Sequence, residues 1–376
     1  MFDPDQLTEL RRRIRSQAAL DRRLLDELIA EVRPMAGEVR TIKPRAAASV
    51  ALTASDGGNN QVIFNPFYLQ VVRVVDSQGK ELLLDVVSPT ADIDALSAKH
   101  FGREAAPTTP LGRLMADLGV RTLSELSPML SARTPGWVQV YRDLCEWATL
   151  YDLICYRDHV NDTLVVRDGR LRTRVFTGDL FARMYDLMRR AIDRVARHDR
   201  RRIWLVGLAK KTEVLEYYRL AMSLARIFGR GSPCFVPVPH NLQERVYRVE
   251  PDYYQNVGAG DSSRPNPRTN IGAMYFVRFG PHSGDPVWTV DLLACQTAEA
   301  QTIFGYLLAD AVAGFPIPLY PHCLQQADAF SRVADLDMSI VEDSLVDAVR
   351  EEVGPELAPI VDALRLATDV AARRYE

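Results

Sequence analysis

The chain reads as an α/β protein, a mixed sheet flanked by helices, with helical extensions at both ends. Three observations predict this. Apolar runs of β type cluster between residues 48 and 87, similar runs then alternate with helical spacing from 162 to 313, and both ends of the chain carry helical spacing throughout. With 376 residues, 47% of them apolar, there is material for one large domain or two ordinary ones.

Residues 6–33 place Leu7, Leu10, Ile14, Leu24, Leu25 and Ile29 at roughly helical intervals, and Pro34 follows as a stop. This N-terminal helical arm is set at 1–45. Short strands are expected at 48–54, 61–64, 68–75 and 81–87, the last two joined as an antiparallel hairpin through DSQGK at 76–80. A mostly helical stretch covers 92–156. Strands at 162–168 and 170–176, a helix over 178–198, and a strand at 202–209 with a helix after it come next. Residues 251–270, rich in Gly, Pro, Asn and Ser, read as a long exposed loop. Strands at 273–279 and 286–293 lead into a helix at 297–313, and 323–374 is helical with a break at Gly354-Pro355. The expected division is the arm, a main domain over 46–335 and an acidic helical segment over 336–376. This architecture includes the ribonuclease H-like fold, which periodicity alone does not select.

Lys and Arg number 46 against 49 Asp and Glu, a formal charge of −3, so the chain lacks the basic excess of a histone-like binder. The small total conceals segregation. Residues 181–230 hold 13 basic and five acidic residues, net +8, whereas residues 335–376 hold four and eleven, net −7. Five scattered cysteines with no C-x-x-C pair argue for free thiols in a reducing cytoplasm and against a disulfide scaffold or a cysteine zinc site. No apolar run approaches the roughly 20 residues of a membrane span, so no membrane partner is expected.

Three acids stand out by their surroundings. Asp56 closes the run ALTAS and precedes Gly57-Gly58-Asn59-Asn60, where bare backbone admits a phosphate or metal. An isolated Asp-Gly also simply starts a turn. Asp168 ends the run TLVVR before Gly169, a pattern that equally describes a hairpin. Glu146 sits beside the apolar stripe of Leu144, Trp147, Leu150 and Ile154 on a helix, where a solvated Glu is the ordinary case. Together they suit phosphodiester hydrolysis. That reaction must neutralise charge on the phosphoryl oxygens and deprotonate a water, and two divalent cations about 4 Å apart, held by carboxylate oxygens, do both.

The order of these elements resembles the NurA nuclease family. Strand-Asp56-Gly, Arg142-x-x-x-Glu146 on a helix, strand-Asp168-Gly-x-Leu171, Val206-Gly-Leu-Ala-Lys210, and a late Tyr320-Pro-x-x-Leu324-x-x-Ala327-Asp328 follow one another across residues 46–335. The resemblance implies a ribonuclease H-like core and a manganese-dependent (or magnesium-dependent) DNA nuclease. It also implies a homodimer working with a HerA-type hexameric ATPase in DNA end processing or defence against foreign DNA. Carried over by position, Asp56, Glu146 and Asp168 are the metal-binding and catalytic acids, and Lys210 faces the phosphate, with Lys211 as the alternative register. Asp328 stands where archaeal members place a histidine. His322, six residues earlier, is the other candidate ligand or general acid.

For DNA, the +8 segment offers Arg189, Arg190, Arg200, Arg201, Arg202 and Lys211 as phosphate contacts. The loop adds Arg264 and Arg268. The acidic tail is expected to contact protein. Two other readings stay open: a catalytically silent subunit of the same complex, and an actin-like or sugar-kinase ATPase, which shares the topology. The second needs further glycine-rich phosphate motifs at strand–helix turns, and no Walker-type motif exists.

Overall fold

The computed structural model describes residues 4–45, 50–64, 66–131, 136–229, 231–249, 268–332 and 335–363. Nine strands are defined: β1 (Arg40–Thr41), β2 (Val50–Phe64), β3 (Phe67–Asp76), β4 (Glu81–Val87), β5 (Asp162–Asp168), β6 (Ile203–Ala209), β7 (Cys234–Pro237), β8 (Gly272–Arg278) and β9 (Val287–Leu293). Two compact units share the chain. The first takes residues 1–54, 157–174 and 178–325; the second takes 55–156, 175–177 and 326–376.

In the first unit the strand order is β1-β7-β8-β9-β6-β5. β5 and β6 are parallel, and the β6-β9, β8-β9, β7-β8 and β1-β7 pairs are antiparallel, so the sheet is mixed. β6 is buried along its whole length, as expected of a strand covered on both faces. The helix Leu180–His198 joins the parallel pair, burying Phe181, Met184, Met188, Ile192 and Val195 at helical spacing. Thr212 caps the helix Glu213–Leu224, its Oγ1 accepting from the Leu215 N–H at 3.2 Å. Against that helix pack Leu28 and Val32 from Arg22–Val32, so the end of the N-terminal arm belongs to this core.

In the second unit β2, β3 and β4 form an antiparallel meander. The DSQGK turn is closed by Asp76, whose Oδ1 accepts from the Gln78 and Lys80 N–H groups at 2.9 Å each, with Gly79 at φ +77°. The helix Trp137–Cys155 is buried on most sides. The helix Pro110–Leu118 packs against it, opened by Thr109 and Pro110 and closed by left-handed Gly119.

Two expectations are corrected. Residues 50–54 and 61–64 are not separate strands, because β2 runs unbroken through Asp56-Gly57-Gly58, paired to β3 from Ser55↔Asp76 to Phe64↔Phe67; residues 48 and 49 of the expected strand lie outside the described residues. Residues 170–176 form no strand; the backbone there keeps a single bridge, Arg172↔Asn270, since Asp168-Gly169 leads out of a parallel strand and not into a hairpin. In the acidic C-terminal segment, Leu345, Val346, Val349 and Val361 pack on Val62. Short strands β1 and β7 and the helix His240–Val249 escaped notice because none carries a long periodic run.

The second unit also encloses a polar chain. His100 is 2% exposed, with Nδ1 2.9 Å from Thr109 Oγ1 and Nε2 3.1 Å from the Tyr141 hydroxyl. Tyr141 in turn donates to Asp85 Oδ2 at 2.6 Å, and Lys99 pairs with the other oxygen of that carboxylate. Burial pushes the imidazole down to about 4, helped by the Lys99 ammonium and opposed by Asp85. The unfolded chain therefore binds a proton that the folded one refuses between pH 6.5 and 4, and stability is lost as pH falls through that window. The loss is on the order of 3 kcal/mol. Urea midpoints at pH 7 and 4.5 check this: His100→Gln should lose less stability than the native chain over that interval, and an equal loss refutes it.

Candidate functional site

In the second unit, Asp56 lies within β2, opposite Val75 of β3. Its Oδ1 accepts from the Gly57 N–H at 2.9 Å and its Oδ2 from the Ser331 hydroxyl at 2.8 Å. Ser331 ends the helix His322–Ser331, and the same Oγ lies 3.0 Å from the Asp328 carbonyl. Asp328 is 34% exposed and pairs with Arg332 at 3.2 Å.

Glu146, 14% exposed on the helix Trp137–Cys155, has Arg142 Nε 3.4 Å from its Oε1, one turn earlier. A side chain at Gly57 would overlap the Glu146 carboxylate, and one at Gly58 would overlap the Ser331 carbonyl oxygen. The two glycines therefore let the helix carboxylate and the helix end rest on strand backbone. Three acids expected from the sequence, Asp56, Glu146 and Asp328, thus come to one stretch of β2 in this unit. All offer the hard oxygen donors that suit manganese or magnesium.

In the first unit, Asp168 is the last residue of β5, in register with Leu208 of β6. Lys210 follows β6 and brings its Nζ to 3.2 Å from Asp168 Oδ2. Of the two lysines, Lys210 meets the carboxylate, whereas Lys211 is exposed. Lys210 Nζ also lies 5.6 Å from the centroid of the Tyr320 ring, which packs edge-on against Trp288. His322 opens its helix with Nδ1 buried and unbonded, and no hydrogen bond or ion pair joins it to Asp168 or Lys210 among the described residues.

The basic segment sorts into two groups. Arg189 stands between Asp186 at 3.6 Å and Asp193 at 3.9 Å, and Arg202 pairs with Glu299 at 2.7 Å. Arg190, Arg200, Arg201 and Arg268 are exposed. The helix also aligns Arg183, Arg190, Arg194 and Arg197, all exposed, along one face. Arg264 lies outside the described residues.

Sequence reasoning missed Ser331, which no local pattern marks, and the buried pair Arg170–Asp291. Asp291 left a signal as an acid inside the apolar run PVWTVDLL. All five cysteines are free, and no helix among the described residues is long and apolar enough to cross a membrane.

No family model and no curated protein matches the chain. Among solved structures, four of NurA nucleases are similar to it. The NurA nuclease from Sulfolobus solfataricus is 12% identical, over 93% of this chain and 97% of that one, with a TM-score of 0.43. NurA bound to dAMP and manganese is 11% identical, over 89% and 97%, with a TM-score of 0.40. An endonuclease V from Streptomyces avermitilis is 14% identical, over 85% and 94%, with a TM-score of 0.26.

The glycines offer a direct check on this geometry. Gly57→Ala meets only a side-chain carboxylate and should displace Glu146 at a cost of about 1 kcal/mol, whereas Gly58→Ala meets backbone and should cost roughly 2–3 kcal/mol. Equal unfolding midpoints for the two variants would contradict the packing described.

Proposed function

We propose that the protein is a divalent-metal-dependent deoxyribonuclease of NurA type with a ribonuclease H-like core. One observation carries the reading: Asp56, Glu146 and the Asp328–Ser331 helix end, distant in sequence, meet on the bare backbone of Gly57 and Gly58. Support also comes from the succession of an antiparallel β2-β3-β4 meander and a helix-linked parallel β5-β6 pair, with Asp168 closing β5.

Asp56, Glu146 and Asp168 would hold manganese or magnesium, with Asp328 as a further oxygen donor in place of the family histidine. A bound divalent cation supplies charge neutralisation at the phosphoryl oxygens and acidifies a water. The remaining tasks fall to side chains. Ser331 fixes the rotamer of Asp56 by donating its hydroxyl proton to Oδ2. Lys210, 37% exposed, leaves Asp168 and turns its ammonium to the phosphate, stabilising the charge that develops in the transition state. His322, at the head of the helix that carries Asp328, is the candidate proton donor to the leaving oxygen.

DNA is the proposed substrate. The face of Arg183, Arg190, Arg194 and Arg197 spans about 21 Å along the helix and suits a phosphate backbone. Exposed Lys211, Arg200 and Arg201 are further proposed phosphate contacts. The proposed partners are a second copy of the chain and a HerA-type ATPase in the cytoplasm, with exposed Glu342, Glu351 and Glu352 on the ATPase side. Sedimentation of the chain alone and with such an ATPase tests both, and a monomer that ignores the ATPase refutes them.

Cleavage of single- and double-stranded oligonucleotides with manganese tests the activity. Asp56→Ala should abolish manganese-dependent cleavage that chelation also abolishes, and unchanged cleavage refutes the site. Binding to duplex DNA across 50–200 mM salt reads the arginine face. Replacing Arg183, Arg190 and Arg197 by Ala should reduce the log–log salt slope by roughly 2–3. An unchanged slope assigns DNA to another surface.

A further inference from the structure

We infer that Asp291, through its ion pair with Arg170, is a positioning residue that sets where the Asp168 carboxylate stands. The inference rests on the reading of Asp168 as a metal ligand.

Asp291 lies in β9 opposite Gly207 of β6, and Gly207 is itself opposite Arg167 of β5. Its side chain is fully buried, at 0% exposure, with Arg170 at 14%. Arg170 donates from Nε to Oδ2 at 2.7 Å and from Nη2 to Oδ1 at 3.1 Å, a bidentate pair. The Leu171 N–H donates to the same Oδ2 at 3.0 Å. The remaining guanidinium nitrogen, Nη1, donates to the Tyr247 hydroxyl at 2.6 Å, and the Arg172 guanidinium lies 4.0 Å from the centroid of that tyrosine ring.

The three residues after Asp168 are therefore each tied down. Gly169, at φ +111°, donates its N–H to the Leu208 carbonyl at 2.8 Å, Arg170 is held by Asp291 and Tyr247, and Leu171 by Asp291. The Arg170 carbonyl further accepts from Arg167 Nη1 at 2.8 Å. Close packing adds to this. A Cβ at Gly207 would stand 2.5 Å from the Gly169 carbonyl oxygen and 2.9 Å from the Leu171 nitrogen, and one at Gly272 would stand 2.8 Å from the Asp291 Cβ.

Stability alone does not explain such a pair. A buried ion pair is commonly matched or bettered by apolar residues of similar volume, because desolvation of both charges offsets their attraction. Two apolar side chains cannot accept the Leu171 N–H or fix the turn by a bidentate bond. That is the property a ligand at the end of β5 requires, since misplacing it weakens the metal site without unfolding the chain.

The experiment measures manganese binding by titration calorimetry together with the melting temperature of the full chain. Asp168→Ala should lose manganese affinity. The paired replacement Arg170→Met with Asp291→Leu should still melt cooperatively, a few degrees below the native temperature because the Leu171 N–H loses its acceptor, yet bind manganese about 10-fold or more weakly. Tyr247→Phe, which loses one hydroxyl bonded to Arg170, should weaken binding in the same direction by a smaller factor. Native affinity in a paired variant that melts cooperatively overturns the inference. Should that variant not fold, native affinity in Tyr247→Phe overturns it instead. If Asp168→Ala itself binds manganese as the native chain does, the metal reading of Asp168 fails, and the inference falls with it for a different, identifiable reason.

Discussion

Approach to bare backbone is the constraint on which the candidate site depends. Glu146 and Ser331 reach β2 only because Gly57 and Gly58 present no side chain, and the turn after Asp168 sits against β6 only because Gly207 presents none. Glycine inside a strand ordinarily weakens it through lost packing and greater unfolded-state freedom. In β2 the loss is offset by pairing with β3 along the whole of Ser55–Phe64 and by the groups that settle on the glycines. The strand thereby acts as a floor on which side chains from other elements assemble.

Electrostatics complement that floor. Every candidate carboxylate has a donor or cation beside it: Ser331 at Asp56, Arg142 at Glu146, Lys210 at Asp168 and Arg332 at Asp328. The cations are 34%, 37% and 77% exposed in that order, and ion pairs so open to water contribute about 0–1 kcal/mol. Exchanging such partners for a dication or a phosphate costs little. Arg170 and Asp291 are the opposite case, buried and fully bonded, and they hold geometry instead of exchanging partners.

Much of this was legible from residues alone, for definable reasons. The strand β6, the helix Leu180–His198 and the DSQGK hairpin follow from period and turn chemistry, which are local. The prominence of Asp56, Glu146 and Asp168 came from strand ends, glycines and the order of motifs. What local patterns misjudged was the fate of Asp-Gly. It reads as a turn at both positions, yet at 56–57 the strand continues and at 168–169 the chain leaves a parallel strand. Only partners distant in sequence decide between these outcomes. Ser331 and Asp291 stayed hidden for the same reason, since their importance lies in what they touch.

The contact between Asp56 and Ser331 joins residues 275 positions apart, and the chain passes between its two units several times on the way. Contacts of such long range form late, because the entropy of closing so large a loop must be met before any bond rewards it. During synthesis Ser331 leaves the ribosome after all of the described strands, the last of which ends at Leu293. A chain halted earlier would possess the described strands while Asp56 still lacked its hydrogen-bond donor, so the carboxylate cluster is completed only after the strands that carry it.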